Sequence, residues 1–471
     1  MKKFVRRGGA HSSLLGIMML AIGVGSASAA PLSNAKAIIS FSISGTAGRI
    51  DNQTITVDLA SLPLFGRVDG LVASFKTSGS SVKVGSKAQV SGKTANDFTG
   101  PVVYKVTAAD GTTANYTVKV LVSKIVAIAG YSDTFAIGSD GSLWATGRNG
   151  DGQLGVGNTN TVSSPKEVMA SGIRAVAAGY YHTLILKSDG SLWATGYNKA
   201  GQLGNGGTAS VSTPVQILAD GVAAIAAGVN FSLIVKTDGS LWVMGSNASG
   251  QLGNGTTNNL SVPTKIMDSG VALVSGGQDH ALIVKTDGSL WAMGANGHGQ
   301  LGNGSSTESH VPVQVVASGV VSASAGRTHS LYVMSDGSLW GMGGNNFGQL
   351  GNGTTADAKS PVRILESGVA SAVAGGDHSL IVKTDGSLWA TGYNNNGQLG
   401  NGSIDNLLVP TRILAGGVTT VAGGLAHSAI LKADHSLWTV GYNNNGELGN
   451  GTTNGLRTLV EIRRPSLSIG D

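Results

Sequence analysis

Seven tryptophans, Trp144, Trp193, Trp242, Trp291, Trp340, Trp389 and Trp438, each stand 49 residues after the last. Around each runs the pattern A-G-x-x-H-(S/T)-L-x-(V/L)-K-(S/T)-D-G-S-L-W-A-x-G-x-N-x-x-G-Q-L-G-N-G-(T/S), followed by about ten residues, a proline and an apolar stretch. Constant spacing over seven copies means that one supersecondary unit is built seven times. Each copy reads as four short strands. Val176–Gly179 is small and suits a crowded axis, His182–Lys187 alternates, Asp189-Gly190 is a tight hairpin turn, Leu192–Thr195 is a third strand, and Pro214–Leu218 a fourth. The opening proline places that last strand at a sheet edge. Units of ~40–50 residues with four strands each are propeller blades. The expected fold is therefore all-β, with a seven-bladed β-propeller over residues 124–471.

One tryptophan per blade reads as a wedge packed between neighbouring sheets. The Q-L-G-N-G turn and the asparagine of G-x-N-x-x-G, present in every copy, are expected to hold loops by side-chain-to-backbone bonds. No helical periodicity is visible in the repeats.

Ahead of the repeats the pattern changes. Residues 1–29 read as an export signal: Lys2, Lys3, Arg6 and Arg7, then apolar Leu14–Val24, then the small-residue site Ala27-Ser28-Ala29. The apolar run is too short to span a bilayer, which takes ~20 residues, so no membrane insertion is expected. Removal of the four basic residues takes the formal charge from +5 to +1. No basic run is left to track a phosphate backbone, and nucleic acid is not an expected partner. Cysteine is absent, which leaves neither disulfides nor thiolate chemistry. Residues 30–123 alternate as short strands at 37–43, 53–57, 72–75, 81–84, 102–106 and 116–122, with Asp110-Gly111 as a turn. Six strands in ~90 residues imply an immunoglobulin-like β-sandwich. The expected protein is secreted, periplasmic or held at a bacterial cell surface, and monomeric.

The repeat resembles the regulator-of-chromosome-condensation repeat, on residues such as Gly179, His182, Thr183, Asp189-Gly190, Leu192-Trp193, Gly196 and Gly201-Gln202-Leu203-Gly204. The resemblance spans about 340 of the 471 residues and implies the same seven-bladed propeller. The N-terminal segment is similar to bacterial immunoglobulin-like modules at Thr94–Phe98 and Tyr104–Gly111, which implies a spacer. The family includes a nucleotide-exchange factor for a nuclear GTPase, which acts through a wedge inserted between blades. Constant spacing leaves no such insertion here. It also includes secreted bacterial inhibitors of β-lactamase that grip the enzyme with one propeller face, and this chain resembles that plan more closely.

There is no H-E-x-x-H, EF-hand spacing or G-x-S-x-G elbow, and Gly92-Lys93-Thr94 lacks the first glycine of a phosphate loop. Eleven residues before the tryptophans stand His182, His280, His329, His378 and His427, with Asp133 and Phe231 in the first and third copies. Five imidazoles around one axis raise the question of a metal. A structural histidine bonding a neighbouring blade's backbone is the plainer reading, and Phe231 at the same position favours it. No catalytic residue, metal or cofactor is assigned.

Repeats within one chain act as an internal control. In an antiparallel blade the first-to-second and third-to-fourth loops share one face of the disc, and the other connections share the opposite one. The opposite face is uniform, built of D-G-S turns and S-G-V connections; the first is varied. Tyr131, Arg148, Tyr180, Tyr181, Tyr197, Asp279, Arg327, Phe347, Asp377, Tyr393 and Tyr442 gather there. Drift in solvent loops explains any one of them, but a cluster of tyrosines with arginine and acids has the composition of an interface. The expected function is non-catalytic binding of a protein, or of a glycan, through this face. Inhibition of a secreted enzyme such as β-lactamase is a special case, and nucleotide exchange on a GTPase is the rival from another class.

Overall fold

A computed structural model describes residues 32–59, 70–98, 100–121 and 125–462, and among them there is no helix. The expected export signal, residues 1–29, lies outside the described residues. Two sheets form first. One orders Thr46–Ala47, Ile38–Ile43, Leu71–Thr77 and Ala95–Asn96; the other orders Arg49–Asp51, Thr54–Asp58, Thr113–Leu121, Val102–Thr107, Ser81–Val84 and Lys87–Ala88. Both contribute to one core that includes Phe41, Ile43, Ile55, Val57, Tyr104, Val106 and Val118. Within the second sheet Thr54–Asp58 and Thr113–Leu121 run parallel, which needs a long crossover and no tight turn.

From Ile125 the chain forms seven four-stranded antiparallel sheets, each made of four consecutive strands. In the second sheet these are Ile173–Ala178, His182–Lys187, Leu192–Gly196 and Val211–Leu218. The fourth strand begins three residues before Pro214, where the sequence reading opened it. Its outer position leaves room for a residue without an N–H.

Seven apolar clusters alternate with the sheets around the ring, and in each a tryptophan packs on the core beside the preceding blade: Trp193 against Phe135, Leu143 and Ile185, and so on to Trp144 against Leu431, Leu437 and Ile462. Every indole N–H is satisfied locally; Trp193 Nε1 donates to Ser191 Oγ at 3.1 Å, and Asp189 Oδ1 accepts from that hydroxyl at 2.6 Å. The wedge is therefore apolar on its faces and bonded at its edge.

The ring closes on itself. Glycines of the third-to-fourth loops donate backbone bonds to the outer strand of the next blade: Gly157 to Ser212, Gly206 to Ser261, Gly255 to His310, Gly304 to Lys359, Gly353 to Leu408, Gly402 to Arg457 and finally Gly451 to Ser163, all at 2.8–2.9 Å. The seventh bond joins the last blade to the first. All seven donors have φ near +80°, a conformation glycine adopts without strain. The sequence left open whether Tyr116–Val122 completes the last blade. It does not: Thr113–Leu121 pairs in the N-terminal sheet, Val122 lies outside the described residues, and Leu456–Glu461 supplies the outer strand beside Leu437–Gly441. His435, where the other copies carry glycine, takes φ 65° and keeps its turn.

Candidate functional site

The histidines fix the frame on which the varied face sits. Each points its Nε2 at a hydroxyl of the following blade, 2.8–3.1 Å away: His182 at Ser232, His280 at Ser330, His329 at Ser379, His378 at Ser428, and His427 at Thr134 across the closure. The partner is a side-chain hydroxyl, where a backbone group had been expected, because backbone groups of those strands are engaged in their own ladders. Ser232 Oγ in turn donates to the Gln202 carbonyl at 2.8 Å, and Thr134 Oγ1 to that of Glu447 at 2.8 Å. With its one proton committed, the hydroxyl can only accept from the ring, so each imidazole carries its proton on Nε2. Burial holds His182, His329 and His378 down to about 3, and His280 and His427 to about 4. They stay neutral at physiological pH. A Cβ at Gly179 would collide with the His182 ring and the Gly228 carbonyl, which explains the invariant glycine three residues earlier.

Two blades depart from this relay. The third has Phe231 for histidine, and its partner position in the fourth is Ala281; both are fully buried in one apolar cluster. The first has Asp133, whose Oδ2 has no hydrogen-bond partner although the residue is 0% exposed. Burial pushes its carboxyl up to about 8, with Glu447 adding to the rise.

All eleven residues assigned from sequence to the varied face are half-buried. Five form one packed string. Tyr131 meets Tyr180 edge-on at 5.5 Å, Tyr180 meets Tyr181 at 4.2 Å, and Tyr181 meets Tyr197 at 5.6 Å between ring centroids. Arg148 lies over both Tyr180 and Tyr181, at 5.2 and 4.7 Å, and is held by Asp151 at 3.0 Å. Tyr131 also sits within electrostatic reach of Arg327, Asp377 and Asp279 from blades five, six and four, so its phenol lies toward the ring axis; burial raises it well above its ordinary value. Arg327 and Asp377 form an ion pair at 2.6 Å, and Asp279 accepts from Gln251 and Gln278. Burial raises Asp377, against the lowering effect of Arg327. Phe347 and Tyr393 pair at 4.8 Å as a separate group.

Between the seventh and first blades this surface opens into a cavity of about 280 Å³, lined among others by Tyr131, Arg148, Tyr180, Tyr442, Asn445 and Glu447. Glu447 was not among the residues assigned to the face. It stands where the other six copies have glutamine, a departure that the sequence shows but that reads there as an end effect of the repeat array. Its Oε1 accepts from Asn445 Nδ2 at 2.6 Å and its Oε2 from Asn445 N at 2.9 Å. Burial raises its carboxyl above the usual range. Among the described residues no three His, Cys, Asp or Glu side chains are grouped to hold a metal ion, and no helix is long and apolar enough to cross a membrane.

Closed ring, repeated wedge and one polar-aromatic face together define a seven-bladed propeller scaffold carrying a single differentiated surface. The sequence matches the RCC1-like domain over residues 84–381 and the regulator of chromosome condensation repeat over 369–398 and 385–431, so the chain belongs to the RCC1-like family. The first of these matches starts inside the N-terminal sheets, whose residues 38–120 match the SGBP N-terminal domain; the strand pairing assigns 84–121 to the latter. Similar solved structures are human WBSCR16 (24% identity, 69% of this chain and 94% of that one, TM-score 0.62) and yeast RCC1, Prp20, bound to Kap60 (22%, 73% and 86%, 0.63). Prp20p of Saccharomyces cerevisiae crystallised in a study of its binding to Gsp1p and histones matches likewise (21%, 73% and 88%, 0.62). At such identities the likeness concerns the fold. No curated protein matches the sequence.

Proposed function

We propose that the chain is an exported, non-catalytic binding protein whose propeller engages a protein partner through the varied face. One observation carries this reading: in a ring that repeats itself sevenfold, large aromatic side chains replace one another in the loops of one face, and there they pack into a pre-arranged string, Tyr131–Tyr180–Tyr181–Tyr197 with Arg148. Half-buried rings held by neighbours lose little freedom on binding, which is how aromatic anchors contribute to affinity. The yeast relative was crystallised with a protein partner, Kap60. Immobilised full-length protein should retain a partner from bacterial or host surface extract, and replacing Tyr180, Tyr181, Tyr393 and Tyr442 together by alanine should abolish retention. Undiminished capture by that variant rejects the face. If the partner is a secreted enzyme such as a β-lactamase, the purified chain should inhibit it.

A glycan is the second reading. The SGBP N-terminal match over residues 38–120 supports it, as does a tyrosine-walled cavity on the same face. That match also supports a bacterial cell surface as the location.

A further inference from the structure

The cavity between the seventh and first blades lies where the lining residues depart from the repeat. Tyr131, Arg148, Tyr180, Tyr442 and Glu447 line it. At the same five places between the third and fourth blades stand Gln278, Ala295, Arg327, Ser246 and Gln251. In the second and third blades the glutamine amide reaches across to the next blade, Gln202 to Asn230 and Gln251 to Asp279, both at 3.2 Å, while the amides of Gln153 and Gln398 are buried without a partner. At the closure a carboxyl takes that place, and no such bond crosses.

The lining restricts what can enter. Arg148 Nη1 is buried without a hydrogen-bond partner, while Nη2 is held by Asp151. An apolar ligand would leave that donor unmet. An anion would meet Glu447 in the lining and a guanidinium whose charge Asp151 already offsets; a cation would meet Arg148, which already covers the faces of Tyr180 and Tyr181. A neutral polyhydroxylated ring suits all of it. Its C–H faces pack on phenol rings, its hydroxyls accept from Arg148 and donate to Glu447, and the phenols serve either role. Size agrees as well. About 280 Å³ lies just below the span of whole-ligand sites, roughly 300–1,000 Å³, and admits one ring of a chain with its neighbours on the open face.

We propose that this cavity is the recognition subsite for one sugar ring of a neutral glycan. The inference rests on the varied face being the binding surface and names a ligand for one corner of it. The test is a screen of the full-length protein on an array of neutral and acidic glycans, followed by titration with the tightest neutral hit. Tyr442→Ala and Glu447→Gln should each weaken binding tenfold or more, whereas Asp220→Ala, exposed on the opposite face, should bind like the parent. Glu447→Gln restores the residue found in six other blades, so it keeps the test valid even if Tyr442→Ala misfolds. Three results overturn the assignment: no neutral glycan binds, acidic glycans bind more tightly, or both substitutions leave affinity unchanged. If the sugar assignment fails while protein capture still depends on Tyr181 and Tyr393, the cavity is wrong and the wider face stands. Loss of binding in Glu447→Gln with an unchanged thermal midpoint supports the proposal.

Discussion

The junction between the third and fourth blades and that between the first and second both lack the histidine relay, and they lack it in opposite ways. At the former, Phe231 faces Ala281; ring and methyl replace imidazole and hydroxyl as a matched pair, both fully buried. At the latter only one half has changed. Asp133 replaces histidine while Thr183 keeps its hydroxyl, which donates to the Gln153 carbonyl at 2.8 Å and leaves Asp133 Oδ2 without a partner. Exchanging both partners of a buried hydrogen bond for apolar groups is nearly neutral, whereas orphaning one is expensive. The relay is thus a replaceable device of ring closure. The single uncompensated departure lies within electrostatic reach of Arg148 and Glu447, beside the cavity, where unmet local rules are expected to mark function.

Acid should break the relay blades most severely. Five buried histidines have folded-state values of about 3 to 4, below the 6.5 of an exposed imidazole. As pH falls from 6.5 toward 4 the unfolded chain takes up protons that the folded ring refuses, and stability declines by up to ~1.4 kcal/mol per pH unit for each histidine. Denaturant midpoints across pH 4–7 should fall steeply on the acid side; a flat profile would mean the imidazoles are not buried neutral.

Asp133 works with the opposite sign. Its carboxyl stays protonated in the fold up to about 8 but ionises from 3.8 when unfolded, so it lowers stability progressively as pH rises between those values. The slope is at most ~1.4 kcal/mol per pH unit. Above pH 6.5 the histidines add the same residual rise to parent and variant, so the decline that Asp133 contributes appears as the difference between them and should vanish in Asp133→Asn. Stability of parent and variant compared at pH 6.5 and 8 measures it, and equal slopes would show that the carboxyl is not confined.

Smaller still is the relay pair itself. Ser232→Ala removes the acceptor for His182 and should cost about 1–3 kcal/mol. Adding His182→Phe should recover most of that, since it reproduces the Phe231–Ala281 arrangement on the same glycine frame. A double-mutant cycle without coupling would refute the view that these residues act as a unit.

Much of this was legible in the chain. The 49-residue period, the Asp-Gly turns and the tryptophan wedge follow from local pattern, and the six expected N-terminal strands match, within a few residues, six of the ten observed. The asparagine was read correctly as a loop clamp; Asn345 Nδ2 donates to the Thr354 and Ala356 carbonyls, and its Oδ1 accepts from Leu350 N. Contacts offset by a repeat plus one residue were not read. His182 meets Ser232 fifty positions on, and the paired change to Phe231 and Ala281 shows only when copies are compared with that offset. The cavity joins residues about 300 apart, from opposite ends of the repeat array, and no pattern within one copy brings them together. The parallel pairing of Thr54–Asp58 with Thr113–Leu121 has no turn to announce it.

Glu447→Gln is the smallest expected change in stability and separates fold from recognition. In the second blade Gln202 Oε1 accepts from Ala200 N at 3.0 Å; Glu447 makes the same bond to Asn445 N at 2.9 Å and adds one from Asn445 Nδ2 at 2.6 Å. The substitution keeps the first bond and weakens the second, while relieving a carboxyl that burial already pushes upward. Opposing terms of ~1 kcal/mol leave a net shift within about 1 kcal/mol. A midpoint that hardly moves means the ring does not need this acid, and its place in the cavity lining is then explained by what the cavity holds. A loss of several kcal/mol would instead make Glu447 a clamp of the ring closure, and the seventh blade would differ from the others for reasons of fold alone.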